Sequence, residues 1–171
     1  ICGDLHHGAK DSIRMIKEYL DREFHDSIVI AFNPSLTSKL KAEIGVPIHI
    51  SPPGFFRYPF LEYSSNFSNS LVHIGNINKY HIKRKQVIDM LISNPSIKFK
   101  HLKTRSSEEA AYIYNKTALS LNIPLNNDLN HRFFEIISAG GRQIILGEPD
   151  KILGPLVDLK NTPDVYWASN E

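Results

Sequence analysis

The stretch NKTALSLNIPLNNDLNHRFFEIISAGGRQIILGE, residues 115–148, carries the clearest secondary-structure pattern of the chain. Residues 118–123 form a short apolar run and residues 143–146 form a second one, as buried strands do. Residues 124–130 are polar and rich in Asn, so they predict a loop. A helical pattern separates this loop from the second strand, and the resulting β-α-β order predicts parallel strands with a helix packed on the sheet.

The helix within this stretch has clear start and stop signals. Asp128 or Asn130 can cap a helix that begins near His131, because short polar side chains accept hydrogen bonds from its first N–H groups. Gly140-Gly141 predicts its end, since glycine tolerates the left-handed conformation of a helix C-terminus. The residues between are apolar on most sides of the helix, which predicts burial: Phe133, Phe134, Ile136, Ile137 and Ala139.

Glu135 interrupts the apolar pattern of this helix. A buried carboxylate is costly unless it is paired or meets a polar ligand. One interpretation is that Glu135 pairs with neighbouring Arg132 or faces water. The other is that it lies at the mouth of a parallel sheet, where strand ends and helix N-termini converge on a ligand.

The bulk properties are those of an ordinary globular protein. The chain has 171 residues, 42% of them hydrophobic and 22% charged, enough for one domain or two small lobes. A net charge of +2 without a long basic run gives no reason to expect a nucleic-acid partner. The single Cys2 excludes an intramolecular disulfide framework and fits a reducing compartment. No apolar run approaches the ~20 residues of a membrane span, so we expect a cytoplasmic protein without a transmembrane segment.

The order of elements predicts an α/β fold with two Rossmann-like, parallel-sheet lobes. Residues 1–50 read as β-α-β-α-β, and we expect this first lobe to be incomplete at its N-terminus, because the chain begins without Met inside an apparent strand and without a visible leader. Residues 51–69 contain Pro, Gly and aromatic residues and predict an interlobe linker. Residues 70–171 predict a second lobe that lacks its last helix.

Hydrophobic periodicity defines the remaining elements. The predicted helices are 10–23, one that Ser35 or Thr37 opens and that ends at Ile44, 82–93, one that begins after Ser106 or Ser107, and 150–157. The predicted strands are 26–32, 46–50, 71–75, an exposed or edge strand at 96–102, and 165–168.

Cations cluster in the first turn of the predicted helix after Gly75, at residues 83–85. Cations at this end oppose the helix dipole, so they are not there for helix stability. They form either a solvated face or a phosphate site, in which Arg84 reaches over the strand ends toward a diphosphate. Gly75 lies where a phosphate can approach the backbone, although its surroundings do not match GxGxxG. Arg132, three residues before Glu135, is a second candidate cation.

The run LSLNIPLNNDLNHRFFEIISAGG, residues 119–141, resembles the donor-binding segment of GT-B glycosyltransferases of the group 1 superfamily. It is most similar to the spore-protein (CgeB-like) branch. The features that carry the resemblance are an Asn on a strand, then an Arg, then Phe-Glu and a small-residue ending: Asn122, Arg132, Phe134-Glu135 and Ala139-Gly140. The resemblance covers residues 70–150 well and residues 1–60 more loosely.

This resemblance implies a glycosyltransferase that holds a nucleotide-diphosphate sugar, its co-substrate, between two Rossmann-like domains, with no further cofactor and no metal. It implies that residues 1–50 belong to the acceptor-side domain, that residues 70–171 form the donor-binding domain and that Glu135 hydrogen-bonds the ribose hydroxyls. The chemistry of the residues agrees, because cations such as Arg84 or Arg132 can stabilise the departing diphosphate without a metal. Many members carry a second Glu eight residues before the first, near the donor sugar. Asn127 stands there in this chain, and it can hydrogen-bond a sugar hydroxyl but supplies no negative charge.

Asp4, His6 and His7, in the segment GDLHHG, are the candidate catalytic residues of the first lobe. In GT-B enzymes a first-domain His often faces the donor sugar, a role open to His6 or His7. Asp4 could orient that His or act as a base toward the acceptor hydroxyl. The same residues could instead form a hydrogen-bonded turn, or open a two-metal phosphoesterase motif whose further segments the sequence does not contain.

The sequence therefore predicts a metal-independent transfer of sugar to an acceptor, whether glycan, lipid or protein, that it does not identify. The alternative is a catalytically silent sugar-nucleotide-binding domain of the same fold, which the Asn at position 127 favours.

Overall fold

The computed structural model describes residues 9–23, 29–31, 37–45, 47–50, 62, 64–77, 81–125 and 129–169. The described residues before the predicted linker form α1 (Ala9–Glu23), β1 (Val29–Ala31), α2 (Thr37–Ile44) and β2 (Ile48–Ile50). This confirms the last four elements of the predicted β-α-β-α-β order, whose first strand lies outside the described residues. β1 and β2 pair in parallel, with Val29 opposite Ile48, as a β-α-β order requires.

The second lobe is an α/β unit around a five-stranded parallel sheet. Its elements are β3 (Ser68–Ile74), α3 (Ile82–Ser93), β4 (Phe99–Leu102), α4 (Ser107–Asn115), β5 (Thr117–Asn122), α5 (His131–Ser138), β6 (Gln143–Leu146), α6 (Pro149–Leu153), a 3₁₀ helix (Gly154–Asn161) and β7 (Val165–Ala168). The strand order is β4-β3-β5-β6-β7, and all four pairings are parallel. β4 lies at an edge of the sheet, as its alternating sequence predicted.

The strand order places a topological switch between β3 and β5. The chain moves from β3 outward to β4, then returns across β3 to β5 and continues to β6 and β7. Right-handed crossovers then require α3 to cover one face of the sheet and the later helices to cover the other. In doubly wound sheets of this order, ligands bind beyond the carboxyl ends of the two strands at the switch. Those ends are at Ile74 and Asn122.

The core follows this division into two faces. Alternate residues of a strand point to opposite faces, so each face has its own apolar clusters. On one face, Ile88 of α3 packs with Leu121 and Ile123. On the other face, the strands contact α4, α5 and α6 through two clusters: Val72, Ile74, Ala110, Ala111, Tyr114, Ile136 and Ala139; and Leu129, Phe133, Ile145, Ile152, Leu153 and Val165.

The ends of α5 confirm both predicted signals. Asn130 is the N-cap, and its side-chain oxygen accepts a hydrogen bond from the Phe133 N–H at 3.2 Å. At the other end, Gly140 has a φ of 66°. Its N–H donates to Ile137 O and the Gly141 N–H donates to Ile136 O, both at 2.9 Å, which is the Schellman arrangement.

The structure differs from the predicted boundaries in several places; β4, for example, begins at Phe99 rather than Ser96. β3 begins at Ser68 rather than Leu71, so the last residues of the predicted linker are part of the sheet; the Ser68 N–H donates to Lys116 O at 2.8 Å. The predicted helix 150–157 ends as an α-helix at Leu153, because Gly154 takes a φ of 52°, and the chain continues as the 3₁₀ helix. Most of the predicted linker, residues 51–61 and 63, lies outside the described residues.

Candidate functional site

The candidate site lies at the carboxyl edge of the five-stranded sheet, which we define as the ends of β3 and β5 and the residues that follow them. Gly75 follows β3, and Ile123 follows β5. The N-terminal turn of α5 contributes Arg132, and the first turn of α3 contributes Arg84. Since α3 and α5 cover opposite faces of the sheet, these two side chains approach the edge from opposite sides.

Gly75 allows a guanidinium to lie directly against the backbone. Its φ is 150°, which favours glycine, and a Cβ at this position would lie 2.6 Å from Nη2 of Arg132 and 3.6 Å from Nε2 of His73. The Gly75 N–H donates to Leu102 O at 3.1 Å, and Nε2–H of His101 donates to Gly75 O at 2.7 Å. The neighbouring strand therefore fixes Gly75 in the position that accommodates Arg132.

Arg84 is buried, unlike the two lysines beside it in the sequence. Only 8% of Arg84 is exposed, and its Nη2 donates to Ile123 O at 3.1 Å. Lys83 and Lys85 are exposed, and Lys85 pairs with Asp89 on the same helix. The solvated-face interpretation thus holds for the two lysines, whereas Arg84 reaches the carboxyl edge.

The two arginines at this edge have no counter-charge within the described part of the chain. Among the described residues, no carboxylate lies within 4.0 Å of the guanidinium of Arg84 or Arg132. The Nε atoms of both are buried and have no hydrogen-bond partner in the described part of the chain. Burial, and then the charge of Arg132, lowers the pKa of Arg84 to about 10, so it stays protonated at neutral pH. Two cations without a carboxylate partner among the described residues form a site that an anion would stabilise.

Glu135 does not neutralise Arg132, although the sequence left that pairing open. Both side chains are half-buried on α5, without an ion pair between these two described residues. Both act on the buried Tyr114 of α4, whose pKa is raised chiefly by burial; the charge of Arg132 opposes that shift and the charge of Glu135 adds to it. Arg132, Glu135 and the Tyr114 phenol therefore lie on one side of α5.

His73 is a further polar residue of the site that the sequence did not identify. It lies on β3, is 0% exposed, and its Nδ1–H donates to Leu121 O at 2.9 Å. Its ring stacks on that of His101, with 5.7 Å between centroids. Burial, then the charges of Arg132, Arg84 and His101, lower the pKa of His73 to about 3, against the opposing effect of the hydrogen bond to Leu121. A His within an apolar strand was the signal that could have identified it.

The Nε2 atom of His73 is buried and has no partner among the described residues. It is also close to the position that Arg132 occupies beside Gly75. The carboxyl edge, including the N-cap of α3, thus contains four buried nitrogens without partners in the described part of the chain: Nε of Arg84, Nε of Arg132, Nε2 of His73 and Nδ1 of His81. Buried polar atoms are usually hydrogen-bonded, so their concentration at one place indicates a binding site.

A chain of amides holds the N-terminus of α5 to the sheet. Nδ2 of Asn130 donates to Oδ1 of Asn122 at 2.8 Å, and Nδ2 of Asn122 donates to Oε1 of Gln143 at 3.1 Å. Nε2 of Gln143 donates to Phe133 O at 2.9 Å. This amide chain ties α5 to both β5 and β6, and so fixes the first turn from which Arg132 projects.

The other residues proposed from sequence lie outside the described residues. These are Asp4, His6 and His7 in the first lobe and Asn127 in the loop before α5. Among the described residues, no group of three or more His, Cys, Asp or Glu side chains is arranged to hold a metal ion.

Comparisons of the chain with protein-family models, with curated protein sequences and with solved structures found no match. In the part of the chain that the structure describes, no helix has the length and apolar character needed to cross a bilayer.

Proposed function

We propose that this chain is part of a GT-B-type glycosyltransferase and that the carboxyl edge of its second lobe binds the diphosphate of a nucleotide-diphosphate sugar. The observation that carries the proposal is the pair of arginines at this edge, Arg84 bonded to Ile123 O and Arg132 beside Gly75, for which the described residues supply no carboxylate. Their position at the switch between β3 and β5 supports it, because ligands of doubly wound sheets bind there.

The chemistry of sugar transfer fits such a site. As the bond between the sugar and the diphosphate breaks, negative charge grows on the leaving phosphate. Cations held next to that phosphate stabilise the transition state more than the ground state, which lowers the barrier. Arg84 is held by its bond to Ile123 O, and Arg132 lies beside Gly75 in the free protein, so both cations are at this edge before the donor binds. The proposed reaction is metal-independent because these fixed cations supply the positive charge.

The remaining roles follow the resemblance to the CgeB-like branch. Glu135, half-buried one turn after Arg132, would accept hydrogen bonds from the ribose hydroxyls. The first lobe would cover the donor and supply the residue that acts on the acceptor, with Asp4, His6 and His7 as the candidates.

Thermal unfolding with added ligands tests the proposal. UDP-glucose or GDP-mannose at a concentration of 100 Kd should stabilise the protein by about 2.7 kcal/mol, which is readily visible as a rise in Tm. The Glu135→Ala variant should lose most of this rise, whereas Asp89→Ala, which removes an exposed carboxylate from α3, should keep it. A full rise in Glu135→Ala would refute the ribose role, and no rise in the unmodified protein with either ligand would refute the proposed function.

A second candidate is a sugar-nucleotide-binding domain that does not transfer sugar. Asn127 favours it, since this position lacks the carboxylate that many members of the resembled superfamily carry. Hydrolysis of the sugar nucleotide distinguishes the two candidates. An enzyme should release nucleoside diphosphate slowly in the absence of acceptor and lose this activity in His6→Ala or His7→Ala. A silent domain should bind without any release.

A further inference from the structure

We propose that His73 is a direct ligand of the anion at the carboxyl edge and binds it as an imidazolium, so that anion binding takes up one proton on Nε2. This inference rests on the proposed function, because it assumes that the edge binds a phosphate group. It adds a residue and a proton that the proposed function does not require.

The hydrogen bond to Leu121 fixes the tautomer of the free His73. A backbone carbonyl only accepts hydrogen bonds, so the Nδ1 atom, 2.9 Å from Leu121 O, must carry the proton. The pKa of about 3 keeps the free side chain neutral in ordinary buffers. Nε2 therefore presents a lone pair, buried and without a partner among the described residues.

The position of Nε2 brings it into the proposed phosphate site. It lies 3.6 Å from the point where a Cβ of residue 75 would be, and Nη2 of Arg132 lies 2.6 Å from the same point. Because residue 75 is glycine and has no Cβ, the guanidinium of Arg132 can occupy the space beside it. Arg132 is only half-buried, so part of its side chain is open to solvent. An anion that draws Arg132 outward would take its place beside Gly75 and meet Nε2.

A phosphate oxygen and the lone pair of a neutral imidazole repel each other. A proton on Nε2 converts this repulsion into a charge-assisted hydrogen bond while Nδ1–H keeps its bond to Leu121. The charged and titratable groups that face His73 are Arg84 from α3, His101 from β4 and Arg132 from α5, and in the free protein all of them disfavour its protonation. A bound anion offsets the two arginines and so favours the imidazolium.

Isothermal titration calorimetry in two buffers of different ionisation enthalpy measures the proton directly. We choose UDP-glucose and, separately, sulfate as ligands, because neither has a group that titrates between pH 5 and pH 8. Proton uptake at pH 5.5 should approach one per site. The affinity should rise as the pH falls, by up to about tenfold per pH unit. Uptake close to zero in the unmodified protein would overturn the proposal.

Two variants locate the proton. His73→Asn retains a donor to Leu121 and lacks the titrating Nε2, so its uptake and the pH dependence of its affinity should disappear; His73→Gln is a second variant with the same expectation. His101→Gln retains a donor to Gly75 O, removes the neighbouring titrating ring and should keep the uptake. Uptake that persists in both His73 variants, or disappears in His101→Gln, would assign the proton elsewhere and overturn the role of His73.

The two ligands separate this inference from the function on which it rests. Sulfate binding with uptake through His73, but without any binding of UDP-glucose or GDP-mannose, would support the role of His73 and refute the sugar-nucleotide function. UDP-glucose binding without proton uptake would support the sugar-nucleotide function and refute the role of His73. Failure of every ligand to bind would overturn both.

Discussion

At the amino edge of the five-stranded sheet, just before β6 and β7, the guanidinium of Arg142 pairs with Asp164 at 3.4 Å. It also lies over the ring of Phe67, 4.8 Å from the centroid. At the carboxyl edge of the same sheet, Arg84 and Arg132 have no carboxylate within 4.0 Å among the described residues. The two edges therefore differ in whether their cations are neutralised within the described part of the chain.

This difference links the amino edge to the stability of the fold and the carboxyl edge to ligand binding. A paired cation at the amino edge contributes to folding, if only modestly. At the carboxyl edge, the arginines have buried Nε atoms without partners among the described residues, and this lowers the stability of the folded state. Evolution retains such a loss of stability where a ligand supplies the missing partner. Substitutions at the two edges should consequently affect different measurements. Four predictions follow from this comparison, from the largest effect to the smallest.

The amide chain joins the two edges, so breaking it should cause the largest loss. Gln143→Leu leaves Nδ2 of Asn122 and the carbonyl of Phe133 without their partners inside the protein. Each unsatisfied buried group costs about 1–3 kcal/mol, so the free energy of unfolding should fall by about 2–4 kcal/mol. Urea denaturation measures it. Gln86→Leu, on the exposed face of α3, is the matched control and should change stability by less than about 0.5 kcal/mol. A loss below about 1 kcal/mol in Gln143→Leu would mean that the amide chain does not anchor α5.

Removing a cation from the carboxyl edge should weaken binding rather than folding. Arg84→Met replaces the guanidinium with an apolar side chain of similar length. The loss of this charged hydrogen-bond donor should raise the Kd for UDP-glucose by about 10–100-fold. Its unfolding free energy should change by less than about 1 kcal/mol, since the lost bond to Ile123 offsets the release of a buried charge. Calorimetry and urea denaturation measure the two quantities. A large loss of stability with unchanged Kd would make Arg84 a structural residue and remove the contrast between the edges.

The neutral His73 makes the free protein sensitive to acid. Its pKa is lowered to about 3 in the folded state, whereas an unfolded His has a pKa near 6.5. The unfolded state therefore binds a proton first as the pH falls, and the stability contributed by this group is present above about pH 6.5 and is lost below it. Between pH 7 and pH 5 the loss should be about 2 kcal/mol. Denaturation across this range, compared with His73→Asn, measures the contribution of His73. Equal pH dependence in the two proteins would show that other groups cause the acid sensitivity.

The smallest effect belongs to the amino edge. Arg142→Met should lower the free energy of unfolding by at most about 1 kcal/mol, because its partner Asp164 is only half-buried. The Kd for UDP-glucose should stay within about twofold of that of the unmodified protein. A tenfold change in Kd would place the amino edge in the binding site and contradict the division between the two edges.

The fold of the second lobe was largely predictable from the sequence. Apolar runs set the bounds of α3, β6 and β7, and capping residues set both ends of α5. The strand order was not predictable, because the same β-α alternation is compatible with several orders of parallel strands. That order creates the switch between β3 and β5, and therefore decides where a ligand can bind.

Only part of the candidate site could be predicted from the sequence. Arg84 could be proposed because cations are unfavourable at a helix N-terminus, but only the structure shows that it is buried while Lys83 and Lys85 are exposed. His73 was missed because its neighbours are distant in the sequence: it meets Leu121 and Arg132 through strand pairing and helix packing. The sequence pattern of one segment contains no information about its contacts with distant segments.

The amide chain of Asn130, Asn122 and Gln143 closes on itself through Phe133. Phe133 donates its N–H to Asn130 and accepts from Gln143 through its carbonyl, so the orientation of every amide between them is determined. A change at one of the three positions leaves a donor or acceptor unpaired, and we expect them to vary together during evolution.

Gly141 adds a fourth constraint of a different kind, since a Cβ there would lie 2.9 Å from Tyr114 O and 3.1 Å from Ile136 O. Gly140 is needed for its φ of 66°, which Asn also tolerates, whereas Gly141 is needed for the space it leaves. The spacing Asn-x₇-Asn-x₁₀-Gly-x-Gln is thus a signature by which distant relatives could be found through covariation, even where overall sequence similarity has been lost.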